Sequence, residues 1–279
     1  MTSIGTSHGS ITVINAMPCG IGATIGVDLR TEAEFTEGGS CRTVSISNDP
    51  TEDTNMASIC VRRAYERAGL PEPEGWTLGI DSEIPVSRGL KSSSAACNAI
   101  LRAVFREIGQ DMDAVDLIRL GVQCAREAKV TVTGSFDDAC GCGLGGIVMT
   151  DNREDTILDR RDIGEFDVVI AVPRFKIRKS TMPLERLHSV APQMQEAIGM
   201  AMEEPFRAMT ANGRIISSVQ GVDNSVAEKA MELGALGAGM SGSGPAVAIV
   251  VERDEGRDFA ERMGLESMDI IFTVTRCGQ

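Results

Sequence analysis

The sequence predicts an α+β protein that folds as two lobes. Three observations carry this prediction: the chain has 279 residues, strand-like and helix-like segments alternate along both of its halves, and a polar stretch separates the halves. A chain of this length has room for one large domain or for two smaller ones. Strands that alternate with helices are typical of sheets covered by helices. We therefore expect an N-terminal lobe over residues 1–155 and a C-terminal lobe over residues 156–279.

The predicted strands of the first half are short, rich in β-branched residues and bounded by glycine. They are Ser10–Ala16, Gly22–Thr31, Thr43–Ser47, Trp76–Ile84 and Gly146–Thr150. The predicted helices of this half are Asp53–Ala68, Ser93–Ile108 and Asp113–Glu127. In the second of these helices, apolar residues recur at the spacing of one helical face. A glycine-rich segment, Thr131–Gly146, leads from the last helix to the last strand.

The second half begins after the polar stretch Asp151–Glu165, which is the candidate boundary between the lobes. Its predicted strands are Phe166–Val172, Ala246–Val251 and Met268–Thr275. Pro183 and Pro192 punctuate two helical stretches, the second of which ends around Glu204, and further helices are expected at Asp223–Leu233 and Glu255–Gly264.

The composition indicates an aliphatic core and a cytoplasmic protein. Hydrophobic residues make up 42% of the chain, whereas aromatic residues make up only 4%. No run approaches the roughly 20 apolar residues that a membrane helix needs, and the first residues lack the pattern of a secretory signal. The eight cysteines show no zinc-site spacing, and a chain of this size needs no disulfide framework. We interpret them as reduced and mostly buried.

The charge balance excludes one class of partner. A net charge of −13 with a pI near 4.7 argues against nonspecific nucleic-acid binding, which needs a basic surface. An anionic small molecule is still possible, because a local basic patch can override the overall field. Such a patch exists in the stretch 174–179, which contains Arg174, Lys176, Arg178 and Lys179.

The segment Ile84–Ala96 (IPVSRGLKSSSAA) predicts a phosphate-binding site. A strand ends, a glycine turn and three serines follow, and a helix begins at once. The free backbone N–H groups of a helix N-terminus and the helix dipole favour an anion there. The hydroxyls of Ser92–Ser94 can bind phosphate oxygens or magnesium, and Lys91 adds a positive charge. The alternative is an ordinary serine N-cap.

Two other segments complete the candidate chemistry. Gly237–Pro245 (GAGMSGSGP) has four glycines, which let a backbone approach a ligand closely. Thr133–Gly146 (TGSFDDACGCGLGG) carries Asp137 and Asp138, carboxylates of the type that accepts or orients a hydroxyl proton in phosphoryl transfer. The alternative for this pair is a turn or a helix cap.

These three segments, in this order, resemble the motifs of the GHMP kinases. The first is similar to the family's second motif, P-x-x-x-G-L-G-S-S-A-A, and Lys91 stands where the family usually has glycine. The resemblance implies the two-lobed GHMP fold, with the active site in the cleft between the lobes. It also implies ATP bound by the first segment, through Pro85, Gly89, Leu90, Lys91, Ser92, Ser93, Ser94 and Ala95.

The resemblance further implies a catalytic aspartate and a magnesium ion. Asp137 aligns with the aspartate of the family's G-x-x-D segment, and Asp138 is its competitor because a slip of one residue exchanges them. Magnesium would be held by Ser94, with Ser93 as second choice, and by Glu127, although a surface role for Glu127 is nearly as well supported. The third motif implies that Gly239, Ser241 and Gly242 contact the substrate.

Within the GHMP kinases the chain looks most like the archaeal shikimate kinase branch. This rests on G-L-K-S-S-S-A, on F-D-D, on Arg178-Lys179 before T-M-P-L-E-R, and on M-T-x-N-G at 209–213. The resemblance implies phosphorylation of a ring hydroxyl of shikimate for aromatic amino acid biosynthesis, with the carboxylate bound by Arg178 in preference to Lys179. The alternatives are a homoserine or mevalonate kinase, and a catalytically silent ligand-binding protein of the same fold.

Overall fold

The computed structural model describes residues 2–47, 51, 53–131, 134–175 and 184–278, which form two β-sheets with helices packed on them. The strands of the first sheet are β1 (Ser3–Ile14), β2 (Ile21–Glu37), β3 (Arg42–Ile46), β4 (Trp76–Ser82), β5 (Ile147–Asp151) and β6 (Thr156–Arg161). Their order is β3-β4-β2-β5-β6, and β1 pairs with β2. Only the pair of β3 and β4 is parallel among these described strands.

The second sheet is antiparallel and has four described strands. They are β7 (Asp167–Val172), β8 (Gly237–Met240), β9 (Val247–Val251) and β10 (Asp269–Val274), in the order β10-β7-β9-β8. A single β-bridge between Val27 and Thr275 connects the two sheets. Next to it, the amide of Arg276 donates a hydrogen bond to the carbonyl oxygen of Gly26 at 2.8 Å.

Nine helices lie in the described parts of the chain. They are α1 (Asn55–Ala68), α2 (Ser92–Glu107), α3 (Ala114–Glu127), α4 (Phe136–Leu144), α5 (Leu184–Ser189), α6 (Ala191–Met200), α7 (Pro205–Gln220), α8 (Ser225–Glu232) and α9 (Gly256–Met263). The mixture of helices and mainly antiparallel sheets confirms the predicted α+β class. Among the described residues, none of these helices is both long and apolar enough to cross a lipid bilayer.

The apolar core is continuous between the two sheets. One cluster of buried side chains contains Ile14 and Val27 of the first sheet, Val168 and Ala248 of the second, and Met209 of α7. Burial of aliphatic surface is the dominant favourable term in folding. The shared cluster therefore fixes the two sheets against each other, and with them the segments between which the predicted site lies.

Strand β2 is longer than its sequence signal predicted. The prediction ended the strand at Thr31, whereas β2 continues to Glu37. The extra residues keep the alternation of a half-buried strand, because Ala33 and Phe35 are fully buried while Glu34 between them is exposed. Pairing with β4 over Thr31–Glu37 holds this extension in place.

Three segments contain elements that were not predicted from the sequence. The polar stretch Asp151–Glu165, the candidate boundary, contains β6, which pairs with β5, so the first sheet continues beyond residue 155. The glycine-rich segment before β5 contains the buried helix α4. Helix α7 was missed entirely. The division of the chain into lobes at residues 155/156 stays a prediction.

Candidate active site

The N-terminus of α2 is the first component of the site. The residue before the helix, Lys91, has a left-handed backbone (φ 68°), no side chain caps the helix, and no acidic residue lies in its first turn. Ser92, Ser93 and Ser94 are half-buried, and within the described part of the chain their hydroxyls form no hydrogen bond. The first amides of a helix have no partner inside it, so this end suits an anion.

The two glycine segments predicted from the sequence pack directly on each other. Gly89 has φ +84°, and a Cβ there would lie 2.1 Å from the carbonyl oxygen of Ser241. The Ser241 hydroxyl donates to the carbonyl oxygen of Gly89 at 2.9 Å. The amide of Gly242 donates to the Thr12 hydroxyl at 2.8 Å. Only glycine at position 89 allows this approach, so the loop before α2 and the loop after β8 form one wall.

Lys91 joins this wall to the aspartate pair. Its ammonium group donates to the Thr12 hydroxyl (2.5 Å), to the carbonyl oxygen of Gly89 (3.0 Å) and to the Ser241 hydroxyl (3.1 Å). It also lies 3.6 Å from Oδ1 of Asp138, and its side chain is only 2% exposed. A buried charge is costly unless it is paired and hydrogen-bonded, and here both conditions are met. The positive charge is thus held at the start of α2.

Asp137 is buried on the first residues of α4. Its Oδ1 accepts a hydrogen bond from Nδ2 of Asn152 at 2.6 Å, and its backbone amide donates to Oδ1 of the same asparagine at 3.0 Å. Burial, and secondly the charge of Asp138, raise the pKa of Asp137 to about 7, although Asn152 and Lys91 act to lower it. A carboxyl group whose pKa is raised towards neutrality suits a proton acceptor.

The two aspartates have different surroundings, although they are adjacent in the chain. Asp137 faces Asn152 and the backbone of β2, where a Cβ on Gly22 would lie 2.3 Å from its Oδ2. Asp138 faces Lys91, and its side chain is 20% exposed. Adjacent positions on a helix point about 100° apart, which explains the separation. The arrangement holds one carboxylate against the lysine and keeps the other buried.

Three other predicted residues have clear positions in the structure. Glu127 lies on α3 with its carboxylate paired to Arg62 and Arg63 of α1, and its side chain is 40% exposed. Leu90 is 1% exposed and belongs to the core. Gly239 packs on α7, because a Cβ there would lie 2.7 Å from the carbonyl oxygen of Met209. The structure thus gives Glu127 arginine partners and the other two residues packing contacts.

The predicted carboxylate-binding residues, Arg178 and Lys179, lie outside the described residues. The start of their basic segment is held by Arg88, whose guanidinium donates to the carbonyl oxygens of Pro173 at 2.7 Å and of Phe175.

Two residues of the site were missed in the sequence. The Thr12 hydroxyl accepts hydrogen bonds from Lys91 and Gly242. The Asn152 side chain accepts a hydrogen bond from the backbone amide of Asp137 and donates one to the Asp137 carboxylate. Both are buried polar side chains on or beside strands of the first sheet. For Thr12, a polar residue within an apolar strand was the available signal, because buried polar groups have a hydrogen-bond partner. Asn152 lies in a polar stretch and gave no such signal.

A cavity of about 610 Å³ lies beside this cluster. Asn152 lines it, as does the loop 16–20 between β1 and β2. Asn152 also contacts Asp137, so this one residue lies between the cavity and the buried carboxylate.

Comparisons with protein families identify both halves of the chain. Residues 55–146 match the GHMP kinases N terminal domain, and residues 194–269 match the GHMP kinases C terminal domain. The first match includes α2 and the aspartate pair, and the second includes the loop after β8. The loop before α2, the aspartate pair and the loop after β8 thus lie in the two matched regions, whereas Thr12 and Asn152 lie outside them.

Comparisons with individual proteins likewise find kinases, and these match nearly the whole chain. The chain is 40% identical to the shikimate kinase of Methanosarcina acetivorans, over 93% of this chain and 90% of the relative. It is 34% identical to that of Pyrococcus furiosus, over 99% and 100%.

Solved structures share the fold at lower identity. The mevalonate kinase of Methanococcus jannaschii is 16% identical (TM-score 0.77, 99% of each chain), and the homoserine kinase of Cytophaga hutchinsonii is 18% identical (TM-score 0.74, 99% of this chain and 96% of that one). With the family matches and the near full-length archaeal relatives, they show that the chain belongs to the GHMP kinase family and is an ATP-dependent kinase.

Proposed function

We propose that the protein transfers the γ-phosphoryl group of ATP to a ring hydroxyl of shikimate, giving shikimate 3-phosphate in the cytoplasm. The observation that carries the substrate is the identity of 34–40% with archaeal proteins named shikimate kinase, over 93–99% of this chain. The solved mevalonate and homoserine kinases share the fold at only 16–18% identity, which leaves substrate choice open. The physical steps below follow from the contacts of the site.

The ATP phosphates are proposed to bind at the N-terminus of α2. The free amides of Ser92–Ser94 and their hydroxyls provide donors, and Lys91 provides a fixed positive charge beside them. Gly89 keeps the backbone close to the facing loop, while Pro85, Leu90 and Ala95 shape the turn and anchor it to the core. Preorganised donors of this kind stabilise the charge that spreads over the phosphoryl oxygens in the transition state.

Magnesium is proposed to arrive with ATP, and the residues present fit that role. Within the described residues, no group of three or more His, Cys, Asp or Glu side chains could hold a metal ion alone. Magnesium bound through nucleotide phosphates and water needs only one or two protein oxygens. The proposed protein ligand is the Ser94 hydroxyl, with Ser93 as second choice; both are half-buried in the first turn of α2. Bound there, magnesium would neutralise phosphate charge.

Glu127 is the weaker of the two proposed metal ligands. Both of its carboxylate oxygens are paired with arginines of α1, at 3.2 Å for Arg63 and closer for Arg62. A ligand role would require it to leave these partners. We therefore retain Ser94 as the principal protein ligand in the proposal and Glu127 as the prediction that the mutants described below will test.

Asp137 is proposed to accept or orient the proton of the attacking hydroxyl. Its pKa of about 7 matches the operating range of a general base, and Asn152 fixes the position of its Oδ1. Asp138 has a different task in this scheme, because it compensates the buried charge of Lys91. Ser241 and Gly242, predicted to contact substrate, act first by holding the wall of the site together.

A coupled assay of ADP release over a panel of acceptors tests the proposed function. We expect turnover with shikimate and little with homoserine or mevalonate. Turnover of homoserine or mevalonate without shikimate would leave a kinase with the wrong substrate assigned. Binding of ATP without turnover of any acceptor would instead support a catalytically silent protein of this fold.

A further inference from the structure

The cavity beside Asn152 has the size and the position of a site for the phosphate acceptor. Its volume of about 610 Å³ falls within the usual range of small-molecule sites. Asn152 is one of the residues that line it, and the Asn152 side chain donates to Asp137 at 2.6 Å. Asn152 therefore links the cavity to the carboxyl group that is proposed to accept the acceptor's proton.

The charged side chains of the cavity are all basic, although the whole chain carries a net charge of −13. Arg126 forms two hydrogen bonds with Asp155, at 2.6 and 2.8 Å. Arg153 likewise forms two with Asp151, at 2.9 and 2.5 Å. Lys129, in contrast, has no ion pair with any described residue. Its ammonium group is therefore the cation of this lining that is available to a ligand.

The backbone at Lys129 is unusual for a lysine. Its φ is +57°, and it follows the C-terminus of α3, where its amide donates to the carbonyl oxygen of Arg126 at 3.1 Å. Glycine or asparagine normally occupies such a left-handed helix end, because other side chains are strained there. Ending the helix does not require a lysine, although a cation at this position also complements the helix dipole.

The two arginine side chains of the cavity, Arg126 and Arg153, pack against glycines. A Cβ on Gly134 would lie 2.3 Å from Nη2 of Arg126, and one on Gly20 would lie 2.9 Å from the side chain of Arg153. Both guanidinium-bearing side chains therefore rest on glycine backbone at the edge of the cavity. This packing and their aspartate partners hold the two arginine side chains in place, and Lys129 is the lining lysine or arginine that has no ion pair among the described residues.

We propose that this cavity binds the acceptor and that the Lys129 ammonium group binds the acceptor's carboxylate. The ligand class is a small hydroxylated carboxylate, oriented with its carboxylate at Lys129 and a hydroxyl towards Asp137. This assignment rests on the proposed function, because it assumes that the acceptor is a carboxylic acid such as shikimate. It gives the carboxylate a partner among the described residues, distinct from the basic segment at 174–179.

The test measures KM for shikimate, for its uncharged methyl ester and for ATP in Lys129→Met and Lys129→Gly. A charge-assisted hydrogen bond is worth enough to raise the KM for shikimate about 10- to 100-fold. The KM values for the ester and for ATP should change less than about threefold, because neither depends on the lost charge pair. Lys129→Gly should at the same time raise Tm, since glycine prefers the left-handed backbone.

Asp254→Gly is the matched control. Asp254 also has a left-handed backbone (φ +70°), and its exposed side chain does not line the cavity. The control should raise Tm without changing any KM, which separates relief of backbone strain from loss of a ligand contact.

Three outcomes would overturn the inference. Unchanged KM for shikimate in both Lys129 variants would do so, as would an equal rise for acid and ester. A charge-specific loss in Arg178→Ala, with Lys129→Met unaffected, would assign the carboxylate to the basic segment. If the wild-type enzyme turns over another carboxylate acceptor, the same comparison is made with that acid and its ester. If it turns over no carboxylate acceptor, the inference and the proposed function both fail.

Discussion

Replacing Asp137 by asparagine should make the protein more stable and much less active. The substitution removes a buried ionisable carboxyl group and keeps its shape and its contact with Asn152. Burial and the neighbouring Asp138 raise the pKa of Asp137 from 3.8 to about 7. Because the folded-state pKa lies above the unfolded one, the stability contributed by protonated Asp137 is complete below pH 3.8. It is lost as the pH rises through 7.

The size of this stability difference follows from the same two pKa values of Asp137. A gap of about three pKa units, at about 1.4 kcal/mol per unit, corresponds to about 4 kcal/mol. The free energy of unfolding of Asp137→Asn should therefore be higher than that of the wild type by up to about 4 kcal/mol above pH 8. Near pH 4 the two values should differ little. Its kcat should fall by about 10²- to 10⁴-fold, the usual contribution of a positioned acid–base group.

Two measurements check this prediction. Urea unfolding of both proteins between pH 4 and pH 8.5 gives the difference in unfolding free energy across the titration. ADP release gives kcat, and ATP binding shows whether the phosphate site is intact. Asp138→Asn is the matched variant, because it removes the adjacent carboxylate but leaves Asp137 in place.

Two results would refute the reasoning. If Asp137→Asn is less stable than wild type at pH 8, the buried carboxylate is not destabilising the fold. If it keeps full kcat while Asp138→Asn is inactive, the catalytic carboxylate is Asp138.

Three further predictions concern the loop before α2. Lys91→Met should raise the pKa of Asp137, whose value the lysine charge lowers, and should move the acidic limb of kcat/KM to higher pH; an unchanged profile would contradict this. Gly89→Ala should raise the KM for ATP and lower Tm, because its Cβ would lie 2.1 Å from a carbonyl oxygen of the facing loop. A variant with normal Tm and KM would show that the two loops separate easily. Ser94→Ala should increase the magnesium concentration needed for half-maximal rate. Glu127→Ala should have this effect only if Glu127 leaves its arginine partners. If Glu127→Ala alone has the effect, Glu127 and not Ser94 is the principal protein ligand.

Elements with strong local signals were predicted closely. Helix α3 was expected at Asp113–Glu127 and spans Ala114–Glu127, because Asp113 caps it by accepting from the amides of Val115 and Asp116 at 2.9 and 3.3 Å. Strand β9 was expected at Ala246–Val251 and spans Val247–Val251. Capping and unbroken apolar runs are properties of adjacent residues, so they can be recognised without knowledge of the fold.

Helix α4 was not predictable in this way. It contains Gly141 and Gly143, which are poor helix formers, and its segment was interpreted as a glycine-rich connection. The structure shows why glycine is present. A Cβ at 141 would lie 2.3 Å from the Thr24 hydroxyl, and one at 143 would lie 2.7 Å from Cδ1 of Ile118. Close packing between distant elements, which outweighs local propensity, forms this helix.

The sequence by itself determined the α+β class, the loop before α2 and the presence of an aspartate pair in one segment, since each depends on neighbouring residues. Only the tertiary structure decided the tasks within the site. It placed Lys91 on Thr12 and Ser241, which are 79 and 150 residues away along the chain. It also turned Asp138 towards Lys91 and Asp137 towards Asn152. Contacts between residues so far apart depend on the packing of the two sheets, which no local pattern specifies.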